Sequence, residues 1–464
     1  MKSLFKLPLL ILLIFVQIHA TMAQQRVYQA PEFSPDWHLP GKHPDHIILS
    51  FSEDPSESMS VTWRTDPSVP SGYAEIAPAT AAPKFWRNAK TYEATTETMD
   101  ASAIEEAGLK ANYHSVTFTD LLPDTVYAYR VGDGKIWSEW FQFRTASKEA
   151  KPFSFLYVGD TQNYILELWS RLIREGYRMA PDASFIIHAG DLVNNAHHER
   201  QWHEWFTAAG FIHAMVPSVP VPGNHEYDPY NQEEDDKDID HLSIQWRPQF
   251  TLPENGPEGL EETAYTVQYQ DLKIVALNSS EDQEKQAAWM QEELAGDDSK
   301  WKVATFHHPI FSASERRDNA ELRESWKPVF DQHGVDLVLQ GHDHTYARGA
   351  TRASGVNVVE GVNTRDQSTG TVYVVSVSGG KMYDLKEDWE MYEASRERKA
   401  ENTQLFQVIN VNGDTLEYRA YTAVGELYDA FDLVKQSDGR NKIVEKKDLA
   451  IPERLHSNTI PYRD

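Results

Sequence analysis

Five short polar segments in this chain each follow directly on an apolar, strand-like run, and that placement constrains the fold more than any other feature. Gly159-Asp160-Thr161-Gln162 follows residues 153–158. Gly190-Asp191-Leu192-Val193-Asn194 follows 184–189, and Gly223-Asn224-His225-Glu226 follows the Val- and Pro-rich stretch 217–222. His307-His308-Pro309 follows 302–306, and Gly341-His342-Asp343-His344 follows 336–339. Further strand runs stand at 273–277 and 371–377. Helical periodicity covers about 165–179, with Leu168, Leu172 and Ile173 on one side, and helices are expected at about 283–295 and 319–333. A closing meander is expected at about 404–410, 415–421 and 430–434. Strands alternating with helices make layered α/β sheets, in which ligands bind beyond the carboxyl ends of the strands. Five loops at one sheet edge can therefore converge on one site.

The preceding part of the chain has a different period. Runs at 60–64, 113–118, 126–131 and 141–145 alternate between apolar and polar residues, with turn residues such as Leu122-Pro123-Asp124 between them. Short strands at this spacing predict an antiparallel β-sandwich over residues 46–147, and it holds no candidate catalytic residue. The α/β domain is expected over 152–435, with a tail at 436–464. Residues 24–45, with Pro31, Pro35, Pro40 and Pro44, read as an extended lead-in. Residues 1–23 have Lys2 and Lys6 flanking the start of an apolar run and a small residue, Ala23, at the end, which is the pattern of a cleaved signal peptide. The apolar run is short of the roughly 20 residues that span a bilayer, and no other stretch is apolar enough. The expected product is exported, periplasmic or secreted.

Composition enters by exclusion. The chain has no cysteine, which removes thiolate metal sites, iron–sulfur clusters and cysteine nucleophiles. A formal net charge of −27 argues against a protein that binds nucleic acid by neutralising phosphates. A small phosphate ester remains an acceptable substrate if bound metal ions supply positive charge locally.

The five segments offer Asp, Asn and His donors, which suit borderline and hard metal ions. A pair of ions about 3.5–4 Å apart clamps the attacking and leaving oxygens of a phosphoryl transfer. Any one Gly-Asp or Gly-Asn-His alone would read as a turn or a helix cap; the conjunction of five points to a site. Other features carry less. His197-His198-Glu199 fails the zinc-protease spacing because Trp202 stands where the second His is needed, so His203 is expected near the site mouth or on the surface. Gly379-Gly380-Lys381 lacks the upstream Gly of a phosphate loop. Tyr346 and Arg348 stand either as substrate contacts or as structural residues.

In order and content the five segments resemble the blocks of purple acid phosphatases, within the calcineurin-like metallophosphoesterase superfamily, and GNHE and GHDH are the most specific of them. The β module is similar to the fibronectin-III-like domain that precedes the catalytic domain in that family. The resemblance covers roughly 46–435 and implies two metal ions, Fe, Zn or Mn. It implies that Asp160 and His344 bind the first, that Asp191 bridges both, and that Asn224, His307 and His342 bind the second. His225 is implied near the leaving group and His308 as a contact of the substrate phosphate. Two positions depart from the family. Asn194 stands where the purple enzymes have a Tyr ligand, so charge-transfer colour is not expected. Gln162 stands where they have Gly and many relatives have His. Either Gln162 or Asn194 is expected to complete the first ion's shell through a carbonyl oxygen. The implied activity is hydrolysis of phosphate monoesters by attack of a metal-held hydroxide. A phosphodiesterase or nucleotide hydrolase on the same centre, and a non-catalytic surface-binding protein with a degenerate site, are the alternatives.

Overall fold

The alternating runs of residues 46–147 become strands that bury more than an isolated sandwich would. The computed structural model describes residues 32–104, 107–230, 237–352, 368–386, 389 and 394–455. The signal-peptide segment 1–23, the first part of the lead-in and the acidic run 233–236 lie outside the described residues. The module comprises β1 (Asp45–Ser50), β2 (Met59–Thr65), β3 (Tyr73–Pro78), β4 (Lys90–Glu93), β5 (Thr95–Asp100), β6 (Lys110–Phe118), β7 (Val126–Gly132) and β8 (Phe141–Arg144). One antiparallel sheet runs β1-β2-β6-β5 and the other β4-β3-β7-β8.

Every residue of β2 is buried. Alternation explains how: Trp63 stacks on His114 toward the second sheet, while Thr62 and Arg64 point into the following domain. Thr62 Oγ1 lies 3.0 Å from Thr251 Oγ1. Arg64 is held by both carboxylate oxygens of Asp45, at 2.8 and 2.7 Å, and by buried Glu199. A buried guanidinium is tolerable only with such compensation. β1 also pairs in parallel with a strand of the next domain at Ser50↔Ser218, and one apolar cluster runs from Trp63 and Phe118 to Phe155 and Trp205. The module is thus packed into the following domain over a shared core.

That domain holds β9 (Phe153–Val158), α1 (Ser170–Met179), β10 (Ile186–His188), α2 (Glu199–Ala209), β11 (Ser218–Pro220), β12 (Tyr227–Asp228), β13 (His241–Leu242), α3 (Trp246–Gln249), β14 (Tyr265–Tyr269) and β15 (Leu272–Ala276). It continues with α4 (Gln283–Glu293), β16 (Trp301–Phe306), α5 (Ala320–His333), β17 (Leu337–Gln340), β18 (Tyr346–Arg352), β19 (Ser368–Val375), β20 (Ser395–Ala400), β21 (Leu405–Asn412), β22 (Thr415–Thr422), β23 (Leu427–Lys435) and β24 (Asn441–Glu445). The helix expected from 165 opens with a π turn, Ile165–Trp169, before α1.

Two parallel runs dominate. β11-β10-β9 form one, continued by antiparallel β21-β22-β23. β15-β16-β17-β19 form the other, flanked by β14 and by β18-β20. The two layers face each other: Tyr157 donates to the Gln340 carbonyl, and Gln407 Nε2 donates to Ser376 Oγ at 2.7 Å. Residues 436–464 were expected as a tail, but 441–445 form β24, which pairs with both β23 and β19 and joins the layers. The β-branched pair Ile443-Val444 suits a strand, and Glu445 is tied down by Arg348 at 2.8 and 2.9 Å. No helix among the described residues is long and apolar enough to cross a membrane.

Candidate metal centre

All five polar segments leave the carboxyl ends of parallel strands: β9, β10 and β11 in one layer, β16 and β17 in the other. Their turns are tight. Asp160, Asp191, His342 and His344 adopt positive φ, between 49° and 74°, a region that non-glycine residues occupy at a cost and that collects at functional sites. Gly341 is required for close approach, because a Cβ there would lie 2.5 Å from Asp160 Oδ2.

The six expected ligands fall into two groups that share Asp191. In one, His307 Nε2 lies 3.1 Å from Asp191 Oδ1, 3.2 Å from Asn224 Oδ1 and 3.1 Å from His342 Nδ1, and Asn224 Oδ1 lies 3.0 Å from His342 Nδ1. In the other, His344 Nε2 lies 3.6 Å from Asp160 Oδ1, and Gln162 Nε2 bridges it to Asp191 Oδ2 at 3.1 and 2.7 Å. The two carboxylate oxygens of Asp191 are divided between the groups. His307 Nδ1 donates to the Ala189 carbonyl at 2.9 Å and His344 Nδ1 to that of Lys381 at 2.9 Å. In the neutral imidazoles each Nε2 therefore presents a lone pair to the site.

Electrostatics point the same way. Burial pushes the Asp160 carboxyl well up; His307 opposes this and the Asp191 charge adds to it. Burial would also raise Asp191, but His307, by charge and hydrogen bond, holds it well below the usual carboxylate range. Burial alone would lower His307, and Asp191 with Asp160 outweighs it and raises the imidazole to about 9. Burial takes His344 down to about 3 and His342 well below its ordinary value. The Asp191 carboxylate thus leans on the protonated His307 imidazole, while the buried Asp160 carboxyl and the neutral His342 and His344 rings crowd around it. Oxygen and nitrogen donors gathered in this way fit a pair of cations.

The surroundings fix the candidate ligands. Buried Glu226 accepts the backbone N–H groups of Asp191 at 2.9 Å and Gly223 at 2.6 Å on one oxygen, and those of Leu192 at 2.8 Å and Val193 at 3.2 Å on the other. Asp343 Oδ2 accepts from Ser312 Oγ at 2.9 Å and from the amides of Ala313 and Ser314. Neither role was visible in the sequence, although both residues stand inside the recognised segments.

His225 is half-buried. Its amide donates to Asp191 Oδ1 at 3.0 Å and its Nδ1 to the Asn194 carbonyl at 2.6 Å. His308 is also half-buried; its Nδ1 lies 2.8 Å from Ser279 Oγ and its ring 4.3 Å from that of His342. Burial, then the charge of His307, lowers His308 to about 3. An open cleft of about 700 Å³ begins at Asn224 and His308 and is bordered by Tyr227, Asp240, Glu281 and Glu321.

One other reading is corrected, and one left open is decided. His203 is neither at the site mouth nor on the surface: its Nδ1 contacts His46 Nε2 at 3.0 Å and Arg64 at 3.3 Å, at the junction with the β module. Tyr346 and Arg348 are structural, because both are buried and bind Asp429 at 2.7 Å.

Comparison with known proteins agrees with this geometry. Residues 44–145 match the family model described as the purple acid phosphatase N-terminal domain, and residues 153–346 match that of the calcineurin-like phosphoesterases. Acid phosphatase type 7 of Danio rerio is 27% identical over 346 residues, covering 66% of this chain and 72% of its own. Fe(3+)-Zn(2+) purple acid phosphatase 12 of Arabidopsis thaliana is 25% identical, covering 61% and 63%. The structure of purple acid phosphatase PPD1 from yellow lupin (Lupinus luteus) seeds shares the fold, with a TM-score of 0.69 and 18% identity over 86% of this chain and 76% of that one. The two family models together span most of the chain, which belongs to the purple acid phosphatase-like enzymes of the calcineurin-like phosphoesterase superfamily, metal-dependent hydrolases of phosphoric esters.

Proposed function

We propose that this chain is an exported hydrolase of small phosphate monoesters that works with two metal ions, drawn from Fe, Zn and Mn. The observation that carries the reading is the division of the Asp191 oxygens between two ligand groups. Asp160, Asp191 and His344 would hold the first ion, and Asp191, Asn224, His307 and His342 the second. Bound there, the ions supply positive charge for the phosphate oxygens and an activated water.

The chain's own residues do the rest. His225, with its Nδ1–H committed to the Asn194 carbonyl, keeps Nε2 for the leaving oxygen, to which the doubly protonated ring gives its Nε2 proton. His308, neutral and oriented by Ser279, hydrogen-bonds a phosphate oxygen. The leaving group occupies the cleft beside Asn224 and His308. Asn194 in place of the tyrosine ligand makes the protein colourless. The charged, apolar and small-residue pattern of positions 1–23 supports export.

Hydrolysis of an aryl phosphate and of a bis-aryl phosphate, each before and after chelation and metal add-back, tests the proposal. A chelator-sensitive rate that favours the monoester supports it. A preference for the diester, or a rate indifferent to chelation, removes it.

A further inference from the structure

Gln162 is fully buried in the loop after β9, two residues beyond Asp160. Its Nε2 lies 2.7 Å from Asp191 Oδ2 and 3.1 Å from His344 Nε2, while its Oε1 is buried with no hydrogen-bond partner among the described residues. An orphaned carbonyl oxygen in the interior is uncommon and calls for an explanation. The amide also has a second orientation of nearly identical shape, related by a half-turn about its last side-chain bond. In that orientation Oε1 takes the place of Nε2 between Asp191 Oδ2 and His344 Nε2.

The neighbours of that position are electron-rich. His344 Nδ1 donates to the Lys381 carbonyl, so Nε2 carries a lone pair in the neutral ring. Asp191 Oδ2 lies beside the same position, and Asp160 Oδ1 lies 3.6 Å from His344 Nε2. With Oε1 in that position, donor atoms of Gln162, Asp191 and His344 face one another, an arrangement that a shared cation would hold together.

We propose that Gln162 Oε1 is a ligand of the first metal ion, completing a set with Asp160, Asp191 and His344. The assignment rests on the two-ion reading of the site. It also decides between the two candidates left by the sequence. The side chain of Asn194 is engaged elsewhere: Oδ1 accepts from Asn163 Nδ2 at 3.2 Å and Nδ2 donates to Asn195 Oδ1 at 2.8 Å. The backbone keeps Gln162 in place, its amide donating to the Asp191 carbonyl at 3.2 Å.

The consequence is a change of charge. A neutral amide oxygen brings no negative charge to the first ion, so the site favours a divalent over a trivalent ion. The competing account keeps Gln162 as a hydrogen-bond donor that orients Asp191, with no metal contact. The two accounts differ at Gln162→Glu, which has the shape of Gln and can ligate but has no N–H to give to Asp191.

The full-length protein, stripped and reloaded with Mn²⁺, is passed through gel filtration and its ions per chain are counted, with affinities taken by chelator competition. Near-UV circular dichroism checks the fold of each variant. The wild type and Asn194→Ala are expected to hold two ions. Gln162→Leu should keep one, with the other weakened tenfold or more, and Gln162→Glu should hold two at least as tightly as the wild type. Gln162→Leu with both affinities unchanged overturns the proposal. So does Gln162→Glu losing an ion as readily as Gln162→Leu, which is the signature of the donor role. A wild type that takes up no Mn²⁺ overturns the two-ion reading itself, a failure distinct from one confined to Gln162.

Discussion

Glu226 Oε2 lies 2.9 Å from the backbone nitrogen of Asp191, and the same carboxylate takes the amides of Leu192, Val193 and Gly223. One side chain thus ties the loop after β10 to the loop after β11, and so sets the residue shared by both ligand groups against Asn224. Glu226→Gln keeps the shape but turns an N–H group toward two of these four donors. Hydrogen bonds to a charged acceptor are worth about 1.5–3 kcal/mol. We expect a stability loss of about 2–3 kcal/mol on that basis, read by chemical denaturation, together with weaker metal retention. A variant as stable and as metal-tight as the wild type would remove this role from Glu226.

His225 donates through Nδ1 to the Asn194 carbonyl and lies outside both ligand groups. His225→Ala should lower turnover by roughly 10²–10⁴, the usual scale of general acid catalysis, and leave both ions bound. Steady-state kinetics beside metal analysis checks this. Loss of an ion would reassign His225 to the ligands.

The protein should lose stability in mild acid, for a reason separate from the candidate metal ligands. His188 and His213 are fully buried, and none of their ring nitrogens has a hydrogen-bond partner among the described residues; they lie beside Trp205. Burial lowers His188 to about 3 and His213 well below its ordinary value. The sign follows from linkage: below about pH 6.5 the unfolded chain binds protons that the folded core excludes. Stability therefore falls with pH at up to about 1.4 kcal/mol per unit for each group, through the window from 6.5 toward 3. Denaturation from pH 7 to 4 measures it, and His213→Phe should flatten the slope. A slope unchanged by the substitution would mean that the His213 imidazole does not resist protonation.

The cleft wall carries Asp240, Glu281 and Glu321 within reach of a leaving group held beside Asn224. Monoesters with a cationic leaving group should therefore be favoured over those with an anionic one, in kcat/KM, by roughly tenfold for each 1.4 kcal/mol of differential attraction. The ratio should shrink as salt rises, because Asp240 and Glu321 are exposed and Glu281 is only half-buried. Equal rates at low salt would show that the wall does not meet the leaving group.

Much of the site was legible because it follows a positional rule. Gly-Asp, Gly-Asn-His and Gly-His-Asp-His after apolar runs mark strand ends, and parallel strands deliver their ends to one edge. What sequence could not supply was which atoms face which. Glu226 and Asp343 carry no mark that separates a loop clamp from a solvated carboxylate. Arg64 reads as an outward residue of an alternating strand, and only the packing of the module against α2 buries it. The strand 441–445 is short and flanked by charge, and it is a strand because β19 and β23 both present open edges to it. Gln162 and Asn194 were equivalent as letters; they differ because the Asn194 amide is already engaged and the Gln162 oxygen is not.

The central claim is a pair of ions joined through Asp191, and metal content per chain tests it most directly, with the wild type set beside Asp191→Ala. The account predicts two ions in the wild type and loss of both in the variant, whereas His344→Ala should lose one. A wild-type protein that holds one ion or none, or an Asp191→Ala variant that keeps two, would contradict it.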